Sequence, residues 1–411
     1  MESEPLKWIN GGVCAPQGFT AGGMHCGLKK KKSDLGLIFS QIPAVAAATY
    51  TLNAVKAAPL HVSKRHLADG TLQAVIINSG NANACAPDGE ENALAMCEYA
   101  AQGLGIPTSQ IAVSSTGVIG VSMTPKMGLV KDGVAQLCKS LSTGETASDA
   151  VAQAIMTTDL TKKELAVQVE IGGKTVNIGA IAKGSGMIHP NMGTMLCFIT
   201  TDAAIEKSLL QKALSHAVDY SFNRISVDGD TSTNDFCLIM ANRMAENEEI
   251  AAQDANYDVF LTALKKLCIK LARSIAADGE GATHLITCIV ENAPTEETAT
   301  TIARSIIASS LVKSAIFGKD ANWGRILCAA GYSGATFNPG LVSISFSSRA
   351  GEILVCKNGQ GLTFDEELAT KVLTPHEVII HLDMAQGTAT STCWGCDLTY
   401  DYVKINGDYR S

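Results

Sequence analysis

At 411 residues, with 46% hydrophobic and 18% charged side chains, the chain can bury a sizeable core and is not a disordered sequence. Its formal charge of −8 argues against a nucleic-acid partner, which needs a basic surface. Thirteen cysteines, scattered and odd in number, fit reduced thiols better than a disulfide scaffold.

The start, Met-Glu-Ser-Glu-Pro, has neither a basic opening nor an apolar core, so no signal peptide is expected. No stretch reaches the roughly 18 apolar residues of a membrane-spanning helix. The expectation is a cytoplasmic protein with no membrane partner. Lys29 to Lys32 is the one dense basic run and reads as a solvated turn.

Short strands are expected over Leu35 to Ser40 and Val45 to Thr51, then a buried strand over Ala74 to Asn78 that ends in the turn-rich Asn78-Ser-Gly-Asn-Ala-Asn83. Glu90 to Leu104 has helical spacing, with Ala93, Met96, Cys97 and Ala100 on one face and Gly103-Leu-Gly-Ile-Pro107 as the stop. Ile111 to Ser115 is a strand running into Thr116-Gly117. Helices follow over Lys126 to Leu141 and Ala147 to Met156. Val167 to Glu170 and Thr175 to Ala182 form a hairpin on Gly172-Gly173. Amphipathic helices are expected over Ile205 to Ser221 and Ala255 to Ala277, and beyond about residue 285 strands and helices alternate again. The class is α/β (α+β) with mixed sheets.

The most informative run is Lys183-Gly-Ser-Gly-Met-Ile-His-Pro-Asn-Met-Gly-Thr194. Pro190 and Gly193 exclude helix interior, and Met195 to Thr201 reads as a buried strand. A threonine after a glycine at the mouth of a core strand suits a nucleophile activated by its own freed α-amine. Thr116-Gly117 ends a strand at a sharp turn; such turns are common, but this one can aim backbone N–H groups outward as an oxyanion hole requires.

Other motifs have ordinary readings. The Lys183 loop lacks the order of a phosphate-binding P-loop. Asp228-Gly-Asp-Thr-Ser-Thr-Asn-Asp235 lacks the glycine and the glutamate of a calcium loop and reads as a turn network of side-chain hydrogen bonds. Cys393-Trp-Gly-Cys396 has no second pair for zinc and reads as packed thiols; no metal is expected. His189, followed by Pro190, shapes a loop. Asp278-Gly-Glu280-Gly after a long helix reads as a C-cap with a solvated acid.

Several longer motifs together carry a resemblance. They are Ala15-Pro-Gln-Gly-Phe19, Asn78-Ser-Gly-Asn-Ala-Asn-Ala-Cys85, Ser115-Thr-Gly-Val-Ile-Gly120, Ala182-Lys-Gly-Ser-Gly-Met-Ile-His-Pro-Asn-Met192, Val227-Asp-Gly-Asp-Thr-Ser-Thr-Asn-Asp235, Asp278-Gly-Glu-Gly-Ala-Thr283, Asn322-Trp-Gly-Arg325 and Trp394-Gly-Cys-Asp-Leu-Thr-Tyr-Asp-Tyr402. From about Gly12 to Ser411 the chain resembles the ornithine acetyltransferase (glutamate N-acetyltransferase) family.

The resemblance implies a layered α/β/β/α sandwich with a smaller C-terminal α/β subdomain, from about 285 to 390. It implies self-cleavage between Gly193 and Thr194, giving fragments 1–193 and 194–411 that form one catalytic core, as two copies of each in a heterotetramer. The activity implied is transfer of acetyl from N2-acetylornithine to glutamate by a ping-pong route through acetyl-Thr194, yielding ornithine and N-acetylglutamate in cyclic arginine biosynthesis. No cofactor is implied, and acetyl-CoA is the candidate second acetyl donor of a bifunctional enzyme. By resemblance Thr194 is the nucleophile, Thr116 and Gly117 form the oxyanion hole, and Thr157, Lys183, Thr194, Glu280, Asn406 and Ser411 contact substrate. The alternative is an autocleaving aminopeptidase or amidohydrolase of the same architecture, in which water replaces glutamate. The family usually has alanine where Gly193 stands and a final threonine where Ser411 stands. Glycine keeps cleavage sterically open, and serine keeps the hydroxyl.

Overall fold

The computed structural model describes residues 6–189 and 195–408. Those residues divide into two compact units, one made of 6–184, 195–223 and 231–271, the other of 185–189, 224–230 and 272–408.

The first unit is built on a nine-stranded mixed sheet. Its strands are β1 (Leu6–Ile9), β2 (Phe19–Met24), β3 (Leu35–Tyr50), β4 (Thr71–Asn78), β5 (Ile111–Ser115), β6 (Lys163–Ile171), β7 (Lys174–Lys183) and β8 (Leu196–Thr201). A short β9 (Ile225–Ser226) belongs to the second unit, and β10 (Phe236–Ala241) completes the first. The order is β1-β6-β7-β8-β10-β3-β4-β5, with β2 on β3. β8 runs parallel to β10 and β4 to β5, while the other pairs are antiparallel.

Side-chain alternation with period two gives this sheet two apolar faces. On β4, Ala74 and Ile76 join Val62 of α1 (Ala58–His66), Met96 and Ala100 of α2 (Gly89–Leu104), and Val130 and Val134 of α3 (Met127–Ser140). Val75 and Ile77 point the other way, into a cluster with Val151 of α4 (Glu145–Ala154), Phe198 and Phe236. Each such Ile or Phe, fully buried, contributes about 1.5–3 kcal/mol. The unit also holds α5 (Lys207–Asp219). α6 (Ala255–Ala277) carries the buried stripe Phe260, Leu264, Leu267 and Leu271 expected of an amphipathic helix.

Two expected strands are one. β3 runs unbroken from Leu35 to Tyr50, with its register on β4 shifting between Phe39 and Ala44. Pro43 lies in that irregular stretch, where a missing N–H leaves no ladder bond unmade. The β6–β7 hairpin closes on Gly172 (φ +57°) and Gly173 (φ +77°), the pair of positive φ angles that a tight two-residue hairpin turn requires.

The second unit has a seven-stranded mixed sheet. Besides β9 it contains β11 (Leu285–Ala293), β12 (Ser343–Ser348), β13 (Gly351–Lys357), β14 (Gln360–Gly361), β15 (Glu377–Asp383) and β16 (Ala389–Cys396), in the order β14-β13-β12-β15-β11-β16-β9. Ile302, Ala303 and Ile306 of α7 (Glu296–Ala308) share a core with Ile286 and Val290 of β11 and Ile380 of β15. α8 (Ser310–Phe317), α9 (Trp323–Gly331), α10 (Glu366–Val372) and α11 (Tyr400–Asp408) complete it. Both sheets are mixed and alternate with helices in sequence, which is the expected α/β class. No helix among the described residues is long and apolar enough to cross a membrane.

Candidate active site

In the first unit the site begins where β4 and β5 end side by side. Asn78 closes β4, and its Oδ1 accepts from Gly80 N (3.1 Å) and Asn81 N (3.0 Å), while its Nδ2 donates to Ser115 Oγ (2.6 Å). Asn81 Nδ2 donates to Val121 O, Asn83 Nδ2 to Gly89 O, and Asn234 Nδ2 to both Ala82 O and Ser115 O. The asparagine-rich loop is therefore tied down by its own amides, the use that turn residues of this type favour, and by that of Asn234. Against it lies Thr116, whose N–H donates to Asn78 O at 2.9 Å. Gly117 adopts φ +133°, and a Cβ there would stand 2.9 Å from Asn81 N and 3.1 Å from Gly80 C. No other residue fits both the angle and the space.

β7 delivers Lys183 to the same corner. Its side chain is 8% exposed, and Nζ stands 3.5 Å from Thr116 Oγ1. Its backbone pairs with Leu196 of β8, two residues beyond Thr194 in sequence. Met195 is buried, and its carbonyl accepts from Phe236 N at 3.0 Å. Gly193 and Thr194 themselves lie outside the described residues, as does Ser411.

Thr157 is half-buried in the turn after α4, with its N–H donating to Asp159 Oδ2 at 3.0 Å. Asp159 Oδ1 accepts from Lys163 Nζ (2.7 Å) and Gly184 N (2.8 Å). Burial pushes this carboxyl up, but the Lys183 and Lys163 charges and the Thr157 N–H outweigh it and hold its pKa below the usual carboxylate range. Asp235, fully buried before β10, goes the other way. Burial raises it well above the ordinary value, against the opposing pull of Thr51 and Lys183.

The basic run does not read as a solvated turn throughout. Lys30, Lys31 and Lys32 are exposed, but Lys29 is half-buried and its Nζ donates to Ser33 O (3.0 Å), Ser79 Oγ (2.6 Å) and Met156 O (2.6 Å). Burial, opposed by Asp34 and reinforced by the Lys183 charge, lowers its pKa to about 8.

In the second unit, Glu280 and Asn406 meet, with Asn406 Nδ2 donating to Glu280 Oε2 at 2.8 Å. The acids after α6 are not solvated as expected: Asp278 is 9% and Glu280 8% exposed. The cause is the Ser185–Gly186 backbone lying over them. Glu280 N donates to Ser185 O (3.0 Å), and Ser185 Oγ donates to Asp278 O (2.7 Å). A Cβ on Gly186 would stand 2.4 Å from the Glu280 carboxyl carbon.

Asp228 takes the next two residues, accepting from Met187 N (2.6 Å) and Ile188 N (2.8 Å). The expected turn network at Asp228 thus reaches beyond its own turn. His189 Nδ1 meets Ser226 Oγ at 3.0 Å and its Nε2 faces Arg304; burial, then the Arg304 charge, lowers its pKa, so it is a neutral member of the loop it shapes. Cys393 and Cys396 are buried free thiols of β16.

The ArgJ family model matches residues 20–411. This chain belongs to the ArgJ family. "Arginine biosynthesis bifunctional protein ArgJ" of Symbiobacterium thermophilum is 49% identical over 410 residues, covering 99% of this chain and 100% of the relative. The protein of the same name from Oceanobacillus iheyensis is 48% identical over 417 residues, covering 100% of both. Among solved structures, ArgJ from Bacillus halodurans matches at 46% identity and a TM-score of 0.49, covering 52% of this chain and 98% of that one. Ornithine acetyltransferase complexed with ornithine, from Mycobacterium tuberculosis, matches at 38% identity and a TM-score of 0.42, covering 45% of this chain and 98% of that one. The chain is accordingly an enzyme of arginine biosynthesis.

Of the residues that the family resemblance marks, Thr116, Thr157 and Lys183 are held by hydrogen bonds in the first unit, where Gly117 is fixed by close packing on Gly80 and Asn81, and Glu280 and Asn406 are paired in the second. Asp159, Lys29 and Asp228 were not among the expected site residues of this ArgJ-family chain. Asp159 stands two positions after Thr157 in Met156-Thr-Thr-Asp159, a signal that was present in the sequence.

Proposed function

We propose that this ArgJ-family chain moves an acetyl group from N2-acetylornithine to glutamate through an acetyl-Thr194 intermediate, after cutting itself between Gly193 and Thr194. The observation that carries the reading is the convergence of a buried lysine and a constrained Thr-Gly turn, Lys183 and Thr116–Gly117, with Lys183 paired across the strand ladder to Leu196, two positions after Thr194 in sequence.

The chemistry follows from those groups. In maturation Thr194 Oγ attacks the Gly193 carbonyl, and water hydrolyses the resulting ester, freeing the Thr194 α-amine. An α-amine of pKa ~8 is a fitting general base. It takes the Oγ proton as Oγ attacks the acetyl carbonyl of N-acetylornithine. The developing oxyanion is held by donors at Thr116 and Gly117, each worth about 3 kcal/mol in comparable acyl transfers. Collapse breaks the amide C–N bond, the proton passes to the departing amine, and ornithine leaves. The α-amine of glutamate then attacks acetyl-Thr194, and Oγ recovers its proton as N-acetylglutamate departs.

Lys183 supplies the positive charge for the carboxylate that both substrates carry. Glu280, with Asn406, answers the ornithine side-chain ammonium, and Thr157 and Ser411 complete the substrate contacts. The two fragments, 1–193 and 194–411, stay together as one catalytic core, in two copies of each in the cytoplasm. The word "bifunctional" in the relatives' names supports a second activity, acetyl-CoA-dependent acetylation of glutamate.

Intact-mass spectrometry of the purified chain tests this directly. Two fragments joining at Gly193–Thr194 are expected, and incubation with N-acetylornithine alone should add one acetyl mass to the C-terminal fragment. Glutamate should then remove it. An uncut chain that still transfers acetyl would overturn the α-amine as base. Ornithine release at the same rate without glutamate would assign the chain to the hydrolases.

A further inference from the structure

The corner formed by Lys183 and Thr116 rests on a carboxylate that the reaction scheme does not use. Asp159 is 2% exposed, and three donors from separate places in the fold converge on it. Thr157 N comes from the turn after α4, Lys163 Nζ from the first residue of β6, and Gly184 N from the residue that follows β7. One side chain therefore joins the backbone of Thr157 to the backbone that carries Lys183. The same turn is held from its other side, because Lys29 Nζ donates to Met156 O at 2.6 Å and Ser79 Oγ donates to Ala154 O.

A buried Asp–Lys pair is not explained by stability alone, since apolar residues of similar volume stabilise a core as well or better. What apolar residues cannot do is accept two backbone N–H groups and fix the distance between them. Binding groups act only when held close to their working geometry by the residues behind them. We propose that Asp159 is a positioning residue for acetyl transfer, setting the spacing between Thr157 and Lys183. The inference rests on the reading of those two residues as substrate contacts.

Two variants of the full chain test it. In Asp159→Asn the amide keeps one acceptor and turns a donor toward either Thr157 N or Gly184 N. In the double variant Asp159→Leu/Lys163→Met the buried charges are replaced together by an apolar pair. Both should speed hydrogen exchange at the Thr157 and Gly184 amides while leaving the other strands protected. Both should also raise KM for N-acetylornithine and for glutamate together, by about tenfold, the effect of losing one hydrogen bond to a charged group, with a smaller change in kcat. Wild-type KM values or unchanged amide exchange in the double variant would overturn the proposal, leaving Asp159 as a charge partner for Lys163 only; that variant also decides the matter if Asp159→Asn fails to fold. If the wild-type chain transfers no acetyl, the substrate reading falls, and amide exchange still decides what Asp159 holds.

Discussion

Lys183 Nζ stands 3.5 Å from Thr116 Oγ1, although 67 residues separate them in sequence. β7 brings the lysine to its end and β5 brings the threonine to its own, so neither depends on a long loop for its position. A point charge beside the expected oxyanion donors suits a substrate whose carboxylate and acyl carbon lie close together. Lys183→Met keeps the buried volume and removes the charge. KM for glutamate and for N-acetylornithine should rise in parallel, by about tenfold or more, as expected when a charged hydrogen bond is lost. Steady-state kinetics on both substrates checks this, and a rise for one alone would assign the lysine to that substrate.

Gly117→Ala forces a Cβ to within 2.9 Å of Asn81 N at φ +133°. The backbone must turn to relieve the clash, and with it the N–H groups at the end of β5. Loss of one oxyanion donor lowers kcat on the order of a hundredfold. Gly120→Ala is the control. It has φ +80° but nothing within 4 Å of the added Cβ, so it should cost about 1 kcal/mol of stability and little activity. Rates of Thr194 acetylation and melting temperatures for the pair separate strain at the site from strain in general.

Much of this corner is legible in the sequence, because local pattern governs it. The apolar run Ile111 to Ser115 followed by Thr-Gly gives a strand and a turn, and Gly172-Gly173 gives the hairpin that ends at Lys183. What local pattern does not give is which charges are buried. Lys29 looks like its neighbours Lys30 to Lys32 until Met156, 127 residues away, receives its ammonium. Glu280 looks like a solvated acid until the Ser185–Gly186 backbone covers it. Pro43 marks a strand end only until an irregularity in the ladder removes the need for its N–H.

Glu280 is tested through its neighbours as well as directly. Glu280→Gln keeps an acceptor for Asn406 Nδ2 but loses the charge proposed to answer the ornithine ammonium. KM for N-acetylornithine should rise by about tenfold, an amount typical of a charged hydrogen bond, while KM for glutamate changes little. Gly186→Ala would place a methyl 2.4 Å from the Glu280 carboxyl carbon and displace the same side chain without altering its charge. The two variants should shift the ratio of the two KM values in the same direction. Equal effects on both substrates would argue against Glu280 as the ammonium partner.

Lys29 makes the pH dependence specific. Protonated, its ammonium holds Ser33 O, Ser79 Oγ and Met156 O, and a neutral amine has one donor too few for all three. With its pKa lowered to about 8 by burial, this lysine gives up its proton in the range where the α-amine proposed to be freed at Thr194, given the ordinary α-amine pKa of ~8, would become a competent base. Through that window kcat should climb while KM for both substrates also climbs, because the Met156–Thr157 turn loosens. Lys29→Met should keep the rise in kcat and abolish the rise in KM. Stability moves with a definite sign. The folded pKa of about 8 lies below the 10.5 of an ordinary lysine, so between them the unfolded chain holds more protons than the folded one. Burying the charged amine weighs fully against the fold below about pH 8, and that penalty fades as pH rises toward 10.5. The melting temperature of the wild type, measured against that of Lys29→Met, should therefore rise across this interval; a falling difference would mean that the three hydrogen bonds of the ammonium outweigh its burial.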